Sequence, residues 1–308
     1  MNRHKFSGRP KKSTIVRYQT QLRKATTRNL IRWLDRWTPD TAARLAERLY
    51  LTPPRYPVPL AERRFLDAAH RFTFTTERGK PVVAWSWGDG PTVFFMHGWG
   101  GRGGQFYHFV EPLVRAGFSV VAIDAPGHGD TPGDHSSLVD FCEVLSQAVD
   151  KFGPAHAVIA HSLGAAATVW CLKEGLKANR VVLIAPPNSP GEYTKSFAAY
   201  LGVSDKTRLA MEKRLERRYH IAWQDLQIVK FAKQMTTKSL IIHDQNDREV
   251  PLESSRRIAE EWQGSELLET HDLGHTRLLS DPRVVHRSVS FIENLAPRRR
   301  KGLHLNVG

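Results

Sequence analysis

The chain has 308 residues, 41% hydrophobic and 25% charged, which excludes a disordered or fibrous chain and leaves room for one large α/β domain or two smaller ones. Its formal net charge of +14 is uneven: residues 1–36 hold eleven Lys/Arg against one acid, Asp35, and Arg298–Lys301 adds four more. The remaining body is neutral, so the basic balance describes two terminal arms, read first as solvated and second as contacts for nucleic acid or an anionic membrane.

Residues 13–37 place Ile15, Tyr18, Leu22, Leu30, Ile31, Leu34 and Trp37 among Lys and Arg, in part at helical spacing. Thr38 and Pro39 have the form of an N-cap and first helical position, and Ala42, Leu45, Ala46 and Leu49 continue the period. Pro53, Pro54, Pro57 and Pro59 end that helix and stiffen the connection. Residues 1–60 therefore read as a basic helical appendage. No apolar secretory region follows the basic start. The longest apolar stretch, Ala157 to Leu172, is broken by His161 and Ser162 and is too short to span a bilayer. A soluble, cytoplasmic protein is expected.

From residue 70 the pattern changes. Arg71–Thr76 and Val82–Trp87 alternate as half-buried strands around a turn at Glu77–Lys80. Thr92–Met96, Phe118–Ile123, Ala157–Ala160, Val181–Ala185 and Ser239–Ile242 are short apolar runs of the buried-strand kind. Helical stretches separate them at 104–116, 137–152, 163–176 and 252–262, and a last strand is expected at Glu266–Thr270. Strands alternating with helices imply a mostly parallel sheet covered on both faces. Roughly fifty residues separate Ala185 from Ser239, far more than a crossover needs. They contain helix-like material at Arg208–Tyr219 and Trp223–Met235, and read as an inserted helical lid over residues 187–236. Its aromatic residues, Tyr193, Phe197, Tyr200, Trp223 and Phe231, suit an apolar acyl pocket or a small core of the insertion. The expected organisation is thus 1–60, a main domain over 61–297 and a basic tail over 298–308. The only two cysteines, Cys142 and Cys171, lack metal-ligand spacing and are expected as buried free thiols.

Five short motifs stand at strand ends. Ala160-His161-Ser162-Leu163-Gly164 lies where a buried strand meets an Ala-rich helix, the setting of a strained turn that raises a serine nucleophile between small residues. Met96-His97-Gly98-Trp99-Gly100-Gly101 can turn backbone N–H groups into a cavity, as oxyanion stabilisation requires. Asp124-Ala125-Pro126-Gly127-His128-Gly129 suits a structural loop as well as a direct role. Asp244 and Asp247, after the strand at 239–242, both qualify by type as an acid that orients a histidine. His275, in Leu273-Gly274-His275-Thr276, completes the order Ser, Asp, His.

These motifs, in this order, resemble the α/β-hydrolase fold, of the bacterial serine hydrolase/acyltransferase kind, over about residues 70–295. The resemblance implies Ser162 as nucleophile, His275 as general base and Asp247, three residues before Val250-Pro251, as acid. It implies an oxyanion hole from the backbone N–H groups of Trp99 and Leu163, with His97, Gly98, His161 and Gly164 as supporting motif residues. Ala160 stands where the strict motif has glycine. His161, His97, His128 and His271 are expected in structural roles. The implied chemistry is carboxylic ester cleavage or acyl transfer on a small-molecule substrate, with no metal or organic cofactor. Lyase or perhydrolase chemistry on the same three residues, or a catalytically silent scaffold that binds nucleic acid or anionic membrane through its basic termini, are the alternatives.

Overall fold

The structure, a computed structural model, describes residues 26–293. The basic residues of 1–25, the helical spacing at 13–25 and the tail at 298–308 lie outside the described residues. The described chain forms two compact units, one of 26–50 with Gly191–Asp225 and one of Leu51–Pro190 with 226–293.

The larger unit is built on an eight-stranded sheet, in the order β1-β2-β4-β3-β5-β6-β7-β8. The strands are β1 (His70–Thr75), β2 (Pro81–Trp87), β3 (Thr92–Met96), β4 (Ser119–Asp124), β5 (Ala155–His161), β6 (Ala178–Ile184), β7 (Lys238–Asp244) and β8 (Ser265–Thr270). β1 and β2 form an antiparallel hairpin, and β2 lies antiparallel to β4; the pairs from β4 to β8 are parallel. Every residue of β3 is buried, because a parallel strand with helices on both faces has no solvated side. The hairpin turn closes through a Thr76 N–H to Lys80 carbonyl bond of 2.8 Å, and Gly79 supplies the positive φ of 75°.

One sheet face carries Val93, Phe95, Val120, Ala122, Ile159, Val182, Ile184, Leu240 and Ile242. Against it pack α4 (Tyr107–Arg115), through Phe109, Val110 and Leu113, and α12 (Pro282–Glu293), through Val284, Val289 and Ile292. The period of two turns Phe94, Met96, Val121 and Ile123 to the other face. The remaining large helices, α5 (Leu138–Phe152), α6 (Leu163–Lys173) and α10 (Leu252–Glu261), are joined by the short α9 (Ile228–Ala232) and pack in series, α5 on α6, α6 on α9, α9 on α10. Residues Gly164–Leu172 of α6 are all buried, as expected of a helix that is apolar all round. Trp223–Met235 is not one helix: it breaks into a 3-10 turn at Trp223–Asp225 and α9. The break follows from Asn188, whose backbone carbonyl and side-chain oxygen accept the Ile228 and Val229 N–H groups at 2.8 and 3.1 Å. Cys142 and Cys171 are joined as a disulfide rather than standing as free thiols. The pairing of α5 with α6 brings their Cα atoms to 5.4 Å, a proximity that their sequence spacing does not reveal.

The smaller unit contains α1 (26–37), α2 (Pro39–Tyr50), most of α7 (Pro190–Leu201) and α8 (Asp205–Tyr219). It joins helices that the sequence divides between an appendage and an insertion. Its limits fall at 50, 191 and 225 rather than 60, 187 and 236. Ala42, Ala43, Ala46, Leu201, Met211 and Leu215 are buried in it. Tyr50 and Phe197 meet edge to face at 5.3 Å. Glu47 of α2, buried, takes Arg214 and Arg218 of α8 at 2.5 and 2.8 Å. Asp35 of α1 accepts the Ser204 backbone N–H and hydroxyl at 3.0 and 2.7 Å, and Ser204 in turn caps α8. These bonds fix α1 and α2 to the insertion's helices.

Candidate active site

Ser162 stands between β5 and α6 with φ 51° and ψ −122°, a conformation that L-residues avoid. Two neighbours enforce the turn. A Cβ on Gly164 would lie 2.3 Å from the His97 carbonyl oxygen and 2.5 Å from that of Met96. A Cβ on Gly98 would lie 2.9 Å from Ser162 Cβ. The end of β3 and the start of α6 thus approach as closely as backbone permits. Ala160, inside β5, is fully buried in register with Met96 and Leu183, and the strand accommodates its methyl group.

Leu163 is the first residue of α6, so its N–H is one of the helix's orphan donors. Trp99 follows Gly98 in the loop after β3. Among the described residues neither the Trp99 nor the Leu163 N–H has a protein acceptor. The loop is clamped from behind. Arg102, buried, makes a two-pronged pair with Glu62 of α3 (Leu60–Asp67) at 2.6 and 2.9 Å. Asp124 accepts the Gly103 and Asp130 N–H groups at 2.7 Å each, while burial pushes its carboxyl up to about 7. The Asp124–Gly129 motif therefore braces the loop.

His275 is the second residue of the short helix α11 (Gly274–Arg277), and its Nδ1–H donates to Asp247 Oδ2 at 2.7 Å. A carboxylate can only accept, so the proton resides on Nδ1 and the His275 Nε2 lone pair is free to take another. The side chain of Asp247 is fully buried. Burial opposes its ionisation, but bonds from His243, His275 and the Val250 N–H outweigh burial and hold the carboxyl well below its ordinary range. Asp247 Oδ1 also accepts the Glu249 and Val250 N–H groups at 2.8 and 3.0 Å. The other acid that qualified by type, Asp244, does not contact His275. Its two oxygens accept Asn246, Leu273 and Gly274 N–H and the Thr270 hydroxyl at 2.8–3.1 Å, which ties down the loop that carries His275.

The other histidines are fixed. His161 Nε2–H donates to the His275 carbonyl at 3.0 Å, and the two rings lie 4.6 Å apart, so the residue before Ser162 touches His275. His97 Nδ1–H donates to the Gly98 carbonyl at 2.7 Å, and its Nε2 accepts the Ala125 N–H at 3.0 Å. His128 Nδ1–H donates to the Pro126 carbonyl at 2.9 Å, and its ring meets Trp99 edge-on at 5.3 Å. Burial lowers all three, His128 to about 4 and His161 to about 3. His271 is exposed beside Asp272.

The sequence assigns His243 no role: it follows the apolar run at 239–242 without a motif partner of its own. It is fully buried, with Nε2 3.0 Å from the Val250 carbonyl and 3.4 Å from Asp247 Oδ2, and Nδ1 2.6 Å from the Ser255 hydroxyl. The carbonyl fixes the proton on Nε2, so the Ser255 hydroxyl donates to Nδ1. Val250 is then gripped at both its N–H and its carbonyl, and the turn bearing Asp247 is rigid.

The model of the Alpha/beta hydrolase family matches residues 93–287. Over 136 residues the chain is 29% identical to a pimeloyl-[acyl-carrier protein] methyl ester esterase of Chromobacterium violaceum, covering 42% of this chain and 52% of the relative. Over 153 residues it is 28% identical to the dihydrolipoyllysine-residue acetyltransferase component of an acetoin cleaving system of Cupriavidus necator, covering 47% and 41%. The chain thus spans about half the length of these curated relatives. An esterase from Pyrococcus furiosus superposes with a TM-score of 0.60 at 19% identity, covering 79% of this chain and 99% of that one, a likeness of fold.

Proposed function

This chain belongs to the alpha/beta hydrolase family, and from that premise we propose that it is a serine hydrolase that cleaves carboxylic esters, or passes the acyl group to another acceptor, using Ser162, His275 and Asp247. The observation that carries this reading is the 2.7 Å bond from His275 Nδ1 to the buried Asp247, which leaves Nε2 as a base. Ser162 is a weak nucleophile at neutral pH, so His275 takes its proton as Oγ attacks the ester carbonyl. Asp247 holds the ring in the useful tautomer and stabilises the imidazolium that forms. Charge develops on the former carbonyl oxygen, and the Trp99 and Leu163 N–H groups receive it, each worth roughly 3 kcal/mol by comparison with known oxyanion donors. Collapse breaks the bond to the alcohol, which leaves with the proton from His275. Water, deprotonated by His275, then attacks the acyl-serine and releases the acid.

A serine at the elbow favours acyl chemistry over the epoxide and haloalkane opening that this fold performs with an aspartate there. The ester named in the Chromobacterium violaceum relative supports the same class of bond. The test is a panel of p-nitrophenyl esters of increasing acyl length. Ser162→Ala, His275→Gln and Asp247→Asn should each lower kcat by at least about a thousandfold, Ser162→Ala with little change in thermal stability. Turnover that survives in Ser162→Ala would overturn the proposal.

A further inference from the structure

Helix α1 exposes apolar surface on the side opposite its packed face. Leu30, Trp33 and Trp37, at i, i+3 and i+7, are 50, 60 and 65% exposed. The helical period puts these three within one narrow stripe. The opposite side is fastened to its own unit: Ile31 is fully buried and Asp35 binds Ser204. On the flank, Arg32 Nε donates to the Leu201 carbonyl at 3.2 Å, and the Arg36 guanidinium lies 5.9 Å from the Trp37 ring. A packed helix normally turns such residues inward, and single exposed apolar side chains are ordinary; an aligned Leu-Trp-Trp stripe is not.

We propose that this stripe seats the protein on an anionic lipid surface. Two features on the page select that partner. The first is chemical: indole rings favour the headgroup boundary, where an apolar body and a polar N–H are both satisfied. The second is charge. The described part of this unit carries twelve Lys/Arg against eight Asp/Glu, and residues 1–25 of the sequence add eight Lys/Arg and no acid. A groove of about 580 Å³ between α2 and α8 is lined by Arg44, Lys206, Lys213, Arg217 and the Glu47-paired Arg214, against one acid, Asp40, with Ala210 and the exposed Leu209. An apolar stripe with Arg32 and Arg36 on its own helix, on a unit of net positive charge, matches anionic headgroups above a hydrocarbon boundary. A second copy of the chain would set these cations against their own kind, and nucleic acid would answer the charge but leave the Leu30 and indole surface unused.

The test is flotation of the full-length protein with vesicles of phosphatidylcholine alone and of phosphatidylcholine with phosphatidylglycerol in equal parts, for wild type, Trp33→Ser/Trp37→Ser and the milder Leu30→Gln. The expected result is binding to the phosphatidylglycerol vesicles only. It should weaken about tenfold in the double variant and by a smaller factor in Leu30→Gln, with thermal stability and hydrolysis of a soluble ester unchanged. Three results would overturn the proposal: no binding by wild type, binding that both variants keep in full, or a change of oligomeric state in the variants with no vesicle binding by wild type. The ester assay is read separately, so failure of the lipid contact and failure of the Ser162 chemistry are distinguishable.

Discussion

Gly164→Ala tests the account where sterics and propensity oppose each other. In a helix interior alanine is favoured over glycine by about 1 kcal/mol. Here the added Cβ would fall 2.3 Å from the His97 carbonyl oxygen and 2.5 Å from that of Met96, both backbone atoms at the end of β3. Neither can rotate away, so the start of α6 must retreat by roughly 0.7 Å to reach a tolerable contact, in a core packed too densely to absorb it. Overpacking of this kind costs about 1–3 kcal/mol, which offsets the propensity gain and leaves a net loss of up to about 2 kcal/mol. The larger effect falls on chemistry, because Gly164 lies two residues after Ser162 and a retreat of the start of α6 carries the proposed nucleophile with it. A displacement near 1 Å at a reacting centre costs on the order of a hundredfold in rate. The assays are urea unfolding and kcat on an activated ester. A variant as active as wild type and more stable by the helix-propensity increment would refute the close-approach argument.

Ser162→Gly should be more stable than Ser162→Ala by about 1 kcal/mol in thermal unfolding, because glycine relieves a strained φ worth more than its own entropy cost; the reverse order would deny strain at the turn. His243→Phe removes the partners of the Val250 carbonyl and the Ser255 hydroxyl. It should cost about 1–3 kcal/mol of stability and lower kcat about tenfold with KM unchanged, with His243→Gln between the two; unchanged kcat would reduce His243 to packing. His97, His128 and His161 are lowered by burial from an unfolded value near 6.5, His128 to about 4 and His161 to about 3. Their neutral forms favour the folded state, so this stability is present above pH ~6.5 and is lost as pH falls toward 4, at about 1.4 kcal/mol per pH unit per histidine. The buried Asp124 carboxyl, raised to about 7, works in the opposite direction over this range, so the test is the difference between variants: in urea unfolding between pH 7 and 5, His128→Gln should make the loss of stability on acidification shallower by up to about 1.4 kcal/mol per pH unit; an unchanged slope would contradict the assignment.

The apolar runs of β3 to β7 were legible because buried parallel strands need near-continuous Val, Ile, Leu and Phe, and the runs end where the motifs begin. The placing of Ser162, Asp247 and His275 at the ends of β5, after β7 and after β8 followed from motif order. Residue type alone does not separate Asp244 from Asp247; the family pattern before Val250-Pro251 implies Asp247, and in the fold it is the Asp247 carboxylate that bonds the His275 ring while Asp244 holds the Gly274 N–H. Helix α3 was missed because four prolines precede it and it buries only Glu62 and Leu66. Helix α12 carries Val284, Val285 and Val289, β-branched residues that weaken a helical reading, although Pro282 marks its first position. The pairing of α2 with α8 rests on Glu47 meeting Arg214 and Arg218 from more than 160 residues away, and local pattern carries no trace of it. The same holds for Cys142 with Cys171 and for the Glu62–Arg102 clamp.

The most direct measurement is labelling of the purified full-length protein with a fluorophosphonate probe, followed by peptide mapping, with Ser162→Ala as control. The account predicts one modified residue, Ser162, with labelling lost in Ser162→Ala and slowed at least about a hundredfold in His275→Gln, since only an activated hydroxyl attacks the phosphonate. A folded wild-type protein that remains unlabelled at Ser162, or that labels equally fast without His275, would contradict it.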